Sequence, residues 1–117
     1  MTIKISLGLP VYNEEECLDD TLKSIRAQTF ENYELIISDN NSDDNSLKII
    51  NKYSSDNRIK VIKNTQKIGM IDNFNLVLNK SSSDYFIWIG AHDLYLPNLL
   101  EKLVENIKKN KNFFLIY

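Results

Sequence analysis

Four side chains in this sequence stand where chemistry could be done: Tyr12, Asp39, His92 and Asp93. Each follows a short apolar run, so each sits near the exit of a candidate strand. Tyr12 offers a planar ring and Asp39 an isolated carboxylate, while Asp93 adds a second carboxylate beside the only imidazole in the chain. A nucleotide needs such an inventory. Its base can stack on an aromatic face, and a carboxylate or amide can pair with the base edge. A hard divalent cation on an acidic side chain can neutralise a diphosphate. Mg²⁺ or Mn²⁺ needs few protein ligands in that setting, because phosphate and water supply the rest. Each residue also has a plainer reading. Tyr12 could close the core beneath its loop, Asp39 could be a turn acid bonded to its own backbone, and His92 and Asp93 could be solvated.

Other chemistries lack their residues. The only glycines are Gly8, Gly69 and Gly90, so neither a Gly-x-Gly-x-x-Gly fingerprint nor a phosphate-binding P-loop is present. A single histidine cannot build a zinc site of the usual composition, and there is no Ser/His/Asp elbow. The net charge of -2 and pI near 5.4 give no general attraction to nucleic acid or anionic membrane. Lys102, Lys108, Lys109 and Lys111 alternate with Glu101 and Glu105, as on a solvated helix face. One cysteine, Cys17, excludes an internal disulfide, fits a reducing compartment, and reads as a small packing residue. No run approaches the roughly 18 apolar residues of a membrane span. Met1–Ile5 leads directly into a strand pattern, so no signal peptide is expected.

The elements that must position these side chains can be taken in order. Ile3–Leu9 reads as a strand covered on both faces, with Gly8 marking a close backbone approach. Asn13 is expected to cap a helix whose first turn holds Glu14, Glu15 and Glu16 and whose buried stripe is Leu18, Leu22 and Ile25, ending near Gln28. Tyr33–Ser38 is the second strand. Asp39–Asp44 is then a polar loop in which Asp43 and Asp44 cap a helix carrying Leu47, Ile50 and Tyr53 inward. Arg58–Lys63 is the third strand, and Gly69 precedes a helix with Ile71, Phe74, Val77 and Leu78 inward. The run from Tyr85 forms a fourth strand with Trp88 in the core, followed by a helix on Leu99, Leu100, Leu103, Val104 and Ile107 to about Asn110. Phe113–Tyr117 closes the series as a fifth strand, and an apolar run at the very end suggests a chain cut short at its C-terminus.

Strict β-α alternation with short connections implies one α/β domain over residues 1–117, a Rossmann-like open, mostly parallel sheet with helices on both faces. Ligands of such sheets bind at the carboxyl ends of the strands. Three polar loops, Pro10–Glu14, Asp39–Asp44 and Gly90–Asp93, are brought to that rim by topology alone.

The motifs Leu9-Pro10-Val11-Tyr12-Asn13-Glu14-Glu15, Ile36-Ile37-Ser38-Asp39-Asn40-Asn41-Ser42-Asp43-Asp44, the Gly69 segment with Asn73 and Asn75, and Ala91-His92-Asp93 resemble, in order and spacing, the family 2 glycosyltransferases of GT-A fold. The resemblance covers the nucleotide-sugar-binding half of such an enzyme. It implies that Tyr12 stacks on the base with Pro10, Val11 and Glu14 beside it, that Asp39 meets the base edge, and that Asn41 lies near the ribose. Asn73 would be a further donor contact. Asp93 would hold Mg²⁺ or Mn²⁺ as the last member of an Asp-x-Asp motif, although Ala91 and His92 replace its usual acids and leave His92 to touch ribose or diphosphate.

The implied reaction transfers a sugar, with inversion, from a nucleoside diphosphate donor (leaning to uridine) to a hydroxyl of a glycan or lipid-linked acceptor. That would occur in the cytoplasm or at the inner membrane face, with self-association left open. The base lies in the acceptor half of such enzymes, so this chain alone is expected to bind donor weakly and transfer nothing. A phosphate-accepting receiver domain would need an acidic pair after the first strand, where Pro10-Val11-Tyr12-Asn13 stands. A non-catalytic nucleotide-binding remnant is the other alternative.

Overall fold

The computed structural model describes residues 2–109. Strands β1 (Ile5–Val11), β2 (Tyr33–Asp39), β3 (Ile59–Lys63) and β4 (Tyr85–Trp88) alternate with helices α1 (Leu18–Arg26), α2 (Ser46–Asn51), α3 (Met70–Asn79) and α4 (Leu99–Lys109). All three pairings are parallel, in the order β3-β2-β1-β4, with Ile5 of β1 opposite both Tyr33 and Tyr85. The expected fifth strand at Phe113–Tyr117 lies outside the described residues.

Strand alternation divides the core. Ile5, Leu7, Leu9 and Val11 of β1 share one cluster with Leu35 and Ile37 of β2, and α1, α2 and α4 cover it with Leu22, Ile50 and Leu103 among others. The other face of the sheet belongs to α3, and it is more polar than the expectation of two apolar faces. Ser6, Glu34 and Ser38 are buried there beside Ile36 and Val77. Gly8 makes this packing feasible: a Cβ on it would run into the Phe86 ring and stand 2.9 Å from Val77 Cγ2. Gly8→Val is therefore expected to cost about 1–3 kcal/mol by overpacking, read as a lower urea midpoint at unchanged slope. An unshifted midpoint would show that α3 can move off the sheet at no cost.

Several elements differ from their sequence patterns. α1 starts at Leu18, not Asn13, because Asn13 has φ 51°, a left-handed backbone that cannot lead into a helix as its cap. Glu14, Glu15 and Glu16 thus precede the helix in a turn closed by Leu18 N donating to Glu14 O at 3.0 Å. Cys17 is the N-cap residue and is exposed, so it is not the buried packing residue expected. α1 ends at Arg26, and Gln28 instead ties it to α4, donating to Leu96 O at 2.7 Å and accepting from Leu100 N at 3.1 Å.

On α3 the inward positions are Asn73 and Val77, while Ile71 and Phe74 are 72% and 38% exposed. Apolar periodicity loses here to hydrogen bonding. The Asn73 amide accepts from Ser38 Oγ at 2.6 Å and from Asn64 Nδ2 at 3.0 Å, which rotates the helix about its axis. Trp88 is also not core. On β4, the last strand in the order among the described residues, it packs edge-on against Phe86 and donates Nε1–H to Phe74 O at 3.1 Å.

Candidate functional site

The carboxyl ends of β1 and β2 are laced together before any ligand is considered. Asn40 N donates to Val11 O at 2.8 Å, continuing the ladder one step beyond the strands. Past that point side chains take over from backbone. Asp43 N donates to Asn13 Oδ1 at 2.8 Å, Asn13 N to Ser42 Oγ at 3.0 Å, and Glu14 N to Ser46 Oγ at 2.8 Å. The left-handed turns at Asn13 and Asn41 (φ 51° and 56°) aim these groups at one another, and Asn tolerates that backbone better than most residues.

Asp44 binds both loops, accepting from Glu15 N at 3.2 Å and Ser46 N at 2.9 Å. Burial pushes its carboxyl up, but hydrogen bonds from Ser46 and Glu15 outweigh that and hold it below the usual range. The cap expected of Asp44 is therefore present in modified form. Asp43 caps nothing and instead accepts from the Tyr12 hydroxyl at 3.3 Å.

A cleft of about 420 Å³ opens between these loops and the β4 exit. Of the residues singled out from sequence, Pro10, Val11, Tyr12, Glu14, Asn73 and His92 line it. Two of these lining residues pair with one another, His92 Nδ1 standing 3.5 Å from Glu14 Oε2. The remaining three residues lie elsewhere. Asp39 is 1% exposed, and its carboxylate is engaged by Ser42, whose Oγ donates at 2.6 Å and whose N donates at 3.2 Å. It therefore adopts the turn-acid geometry. Asn41 is exposed on the outer side of that turn.

Asp93 lies against Gly90, where a Cβ would collide with its carboxylate, and lines a neighbouring apolar cleft of about 520 Å³. The two clefts share Phe74, Ile89 and Gly90. The larger one is walled by core side chains such as Leu7, Ile87 and Leu103, with few polar groups converging on it. The expected convergence of Tyr12, Asp39 and Asp93 in one groove is thus only partial. Tyr12 opens on the smaller cleft, Asp39 lies beneath its rim, and Asp93 lies next door.

Asn73 lines the cleft but is 3% exposed, with its amide held by Ser38 and Asn64. It supports the floor. Asn40 has the same task, receiving Ile68 N at 2.9 Å and donating to Ile68 O at 2.8 Å, which fixes the loop before α3 to the end of β2. Sequence reasoning did not single out Asn40, Ser42, Ser46 or Lys67. The polar density of 40–46 was a usable signal for the first three. Lys67 is the fourth, and its ammonium stands 3.9 Å from the centroid of the Tyr12 ring.

As to a cation, no group of three or more His, Cys, Asp or Glu side chains among the described residues could enclose one. The Asp93 carboxylate is exposed, and a single acid of this kind fits the one or two protein ligands that Mg²⁺ or Mn²⁺ takes when phosphates complete its shell.

The fold is that of known GT-A enzymes. A structure of S. aureus TarS 1-349 in complex with UDP matches with TM-score 0.86 at 23% identity, over 93% of this chain and 33% of that one. A mannosyltransferase from Pyrobaculum calidifontis, solved with GDP-Man and Mn²⁺, matches with TM-score 0.80 at 17% identity, over 88% of this chain and 32% of that one. In sequence the chain is 29% identical over 111 residues to the UDP-Glc:alpha-D-GlcNAc-diphosphoundecaprenol beta-1,3-glucosyltransferase of Escherichia coli, covering 95% of this chain and 44% of that enzyme. The chain spans about a third to less than half of the curated relatives it matches. The model of glycosyl transferase family 2 matches residues 6–116, and the chain belongs to that family.

Proposed function

We propose that the chain is the donor-binding part of an inverting glycosyltransferase, which moves a sugar from a uridine diphosphate donor to a hydroxyl of a glycan or lipid-linked acceptor. The observation that carries this reading is the half-buried Tyr12 ring opening onto a cleft at the carboxyl rim of the sheet that His92 also lines. The E. coli relative's name states a UDP-linked donor and a diphosphoundecaprenol acceptor, which favours the same chemistry here. A lipid-linked acceptor would place the reaction at the inner face of the membrane. Among the described residues no helix is long and apolar enough to cross one.

In this reading Tyr12 stacks on the base while Pro10 and Val11 set the depth of the cleft. Asp39 reaches the base edge only when the Ser42 turn releases it, and Asn41 then comes within range of the ribose. His92 donates to the diphosphate, and Glu14 orients that imidazole from behind. Asp93 would hold the divalent cation, which supplies positive charge to the departing diphosphate when bound. The base that takes the acceptor proton is assigned to a part of the enzyme outside this chain. The 117-residue chain should thus bind donor and transfer nothing.

Calorimetry with UDP and Mn²⁺ tests the reading. Saturable binding that weakens when Mn²⁺ is chelated is the expected result. No measurable UDP binding in either condition would overturn it.

A further inference from the structure

We infer that Lys67 is a two-position cation of the donor cleft: its ammonium covers the Tyr12 ring when the cleft is empty and moves to the diphosphate when a base takes that ring. The inference rests on the donor-site reading given above and adds a residue and a built-in exchange to it.

Lys67 and Tyr12 line the same cleft, and Lys67 Nζ stands 3.9 Å from the ring centroid. The ammonium therefore occupies space that a stacked base would need. The Tyr12 ring lines the cleft, and its hydroxyl donates to Asp43 Oδ2 at 3.3 Å. The backbone beside Lys67 is fixed, because Ile68 N and O are both bonded to the side chain of Asn40. What can move is the exposed side chain, a compact charge on a flexible four-carbon stem. None of the ion pairs among the described residues engages it.

Charge gives the second position. The ionisable side chains lining the cleft are Tyr12, Glu14, Lys67 and His92, and only Lys67 carries a permanent positive charge. Glu14 repels a diphosphate, and a motif with the single acid Asp93 can bring only one carboxylate to a cation. A diphosphate entering this cleft thus meets one fixed cation among the described residues.

Relative strengths set the order of events. An exposed cation–π contact contributes a factor of about two to five, whereas a base stacked on an aromatic contributes about five- to 150-fold. The base displaces the ammonium. The freed charge then finds the phosphate oxygens, where a charge-assisted hydrogen bond contributes about ten- to 100-fold.

The test compares uridine with UDP on the full 117-residue chain, by calorimetry without divalent metal, at low and at high salt. Lys67→Ala is expected to bind uridine up to about fivefold more tightly than the wild type and UDP about tenfold or more weakly. The UDP preference over uridine should also lose part of its salt dependence, and Lys67→Arg should keep it. Equal shifts for both ligands, or no shift in either, would overturn the role of Lys67 while leaving donor binding intact. A wild-type chain that binds UDP neither with nor without Mn²⁺ would remove the donor site itself, and this inference with it.

Discussion

Replacing Tyr12 by alanine is expected to weaken UDP binding by about ten- to 100-fold, while Tyr12→Phe stays within about threefold of the wild type. The difference isolates the ring. A base stacked on an aromatic side chain contributes about 1–3 kcal/mol, and phenylalanine keeps that face while losing only the hydroxyl. The hydroxyl bond to Asp43 is long, 3.3 Å, and exposed, so its loss removes a few tenths of a kcal/mol at most. Tyr12 is outside the main core cluster, so the alanine variant should melt close to the wild type. That makes lost affinity a statement about the site and not about folding. Calorimetry on the three proteins with UDP and Mn²⁺ decides it. An alanine variant that binds UDP as well as the wild type would mean that the ring is merely part of the loop packing.

The second large effect concerns Glu34, which serves the fold and not the cleft. On β2 it is 2% exposed, yet it is fully partnered. It accepts from Ser6 Oγ on β1, from Ser82 N and Oγ at 2.7 and 2.8 Å in the turn before β4, and from Lys60 Nζ at 2.8 Å on β3. Burial pushes its carboxyl up, but the Lys60 ammonium and the Ser6 and Ser82 donors outweigh this and bring it down to about 2. The unfolded chain therefore takes up a proton near pH 4.5 that the folded chain refuses until about pH 2.

Stability from Glu34 is accordingly complete above pH 4.5 and is lost as pH falls towards 2. Its size is about 3 kcal/mol from the displacement of the titration, less whatever solvent screens at the half-exposed Lys60. Glu34→Gln is expected to lower stability by about 2 kcal/mol at neutral pH and to make the acid limb shallower, seen as a urea midpoint that falls less between pH 5 and 3 than that of the wild type. A variant whose acid limb is as steep as that of the wild type would place the acid sensitivity on other carboxylates. Asp19 and Asp56 are the first to examine, since hydrogen bonds from Tyr53 and Arg58 respectively hold each below the usual range.

The cleft shows where reading the sequence stopped. Tyr12, Glu14 and His92 were legible because each follows a strand directly, and strand ends in a parallel sheet share a rim. Asp39 was legible as a position but not as a geometry. Whether its carboxylate faces outward or folds onto Ser42 depends on the left-handed turn at Asn41, which nothing in a run of Asp, Asn and Ser singles out. Lys67 was not legible at all, since an exposed lysine in a loop has no pattern of its own. Only the Asn40–Ile68 pairing, which joins positions 28 apart, brings it to Tyr12.

By itself the sequence determined the alternation of strands and helices, the parallel sheet that this forces, and therefore which loops meet at the carboxyl rim. Those features follow from hydrophobic period and connection length, both local properties of the chain. Tertiary structure alone decided that Asn73 and not Phe74 faces inward, that Glu34 is buried, and that neither Asp39 nor Asp93 lines the cleft onto which Tyr12 opens. The first two turn on a buried polar group finding partners far away in sequence. That requirement outweighs the apolar pattern and leaves no local trace.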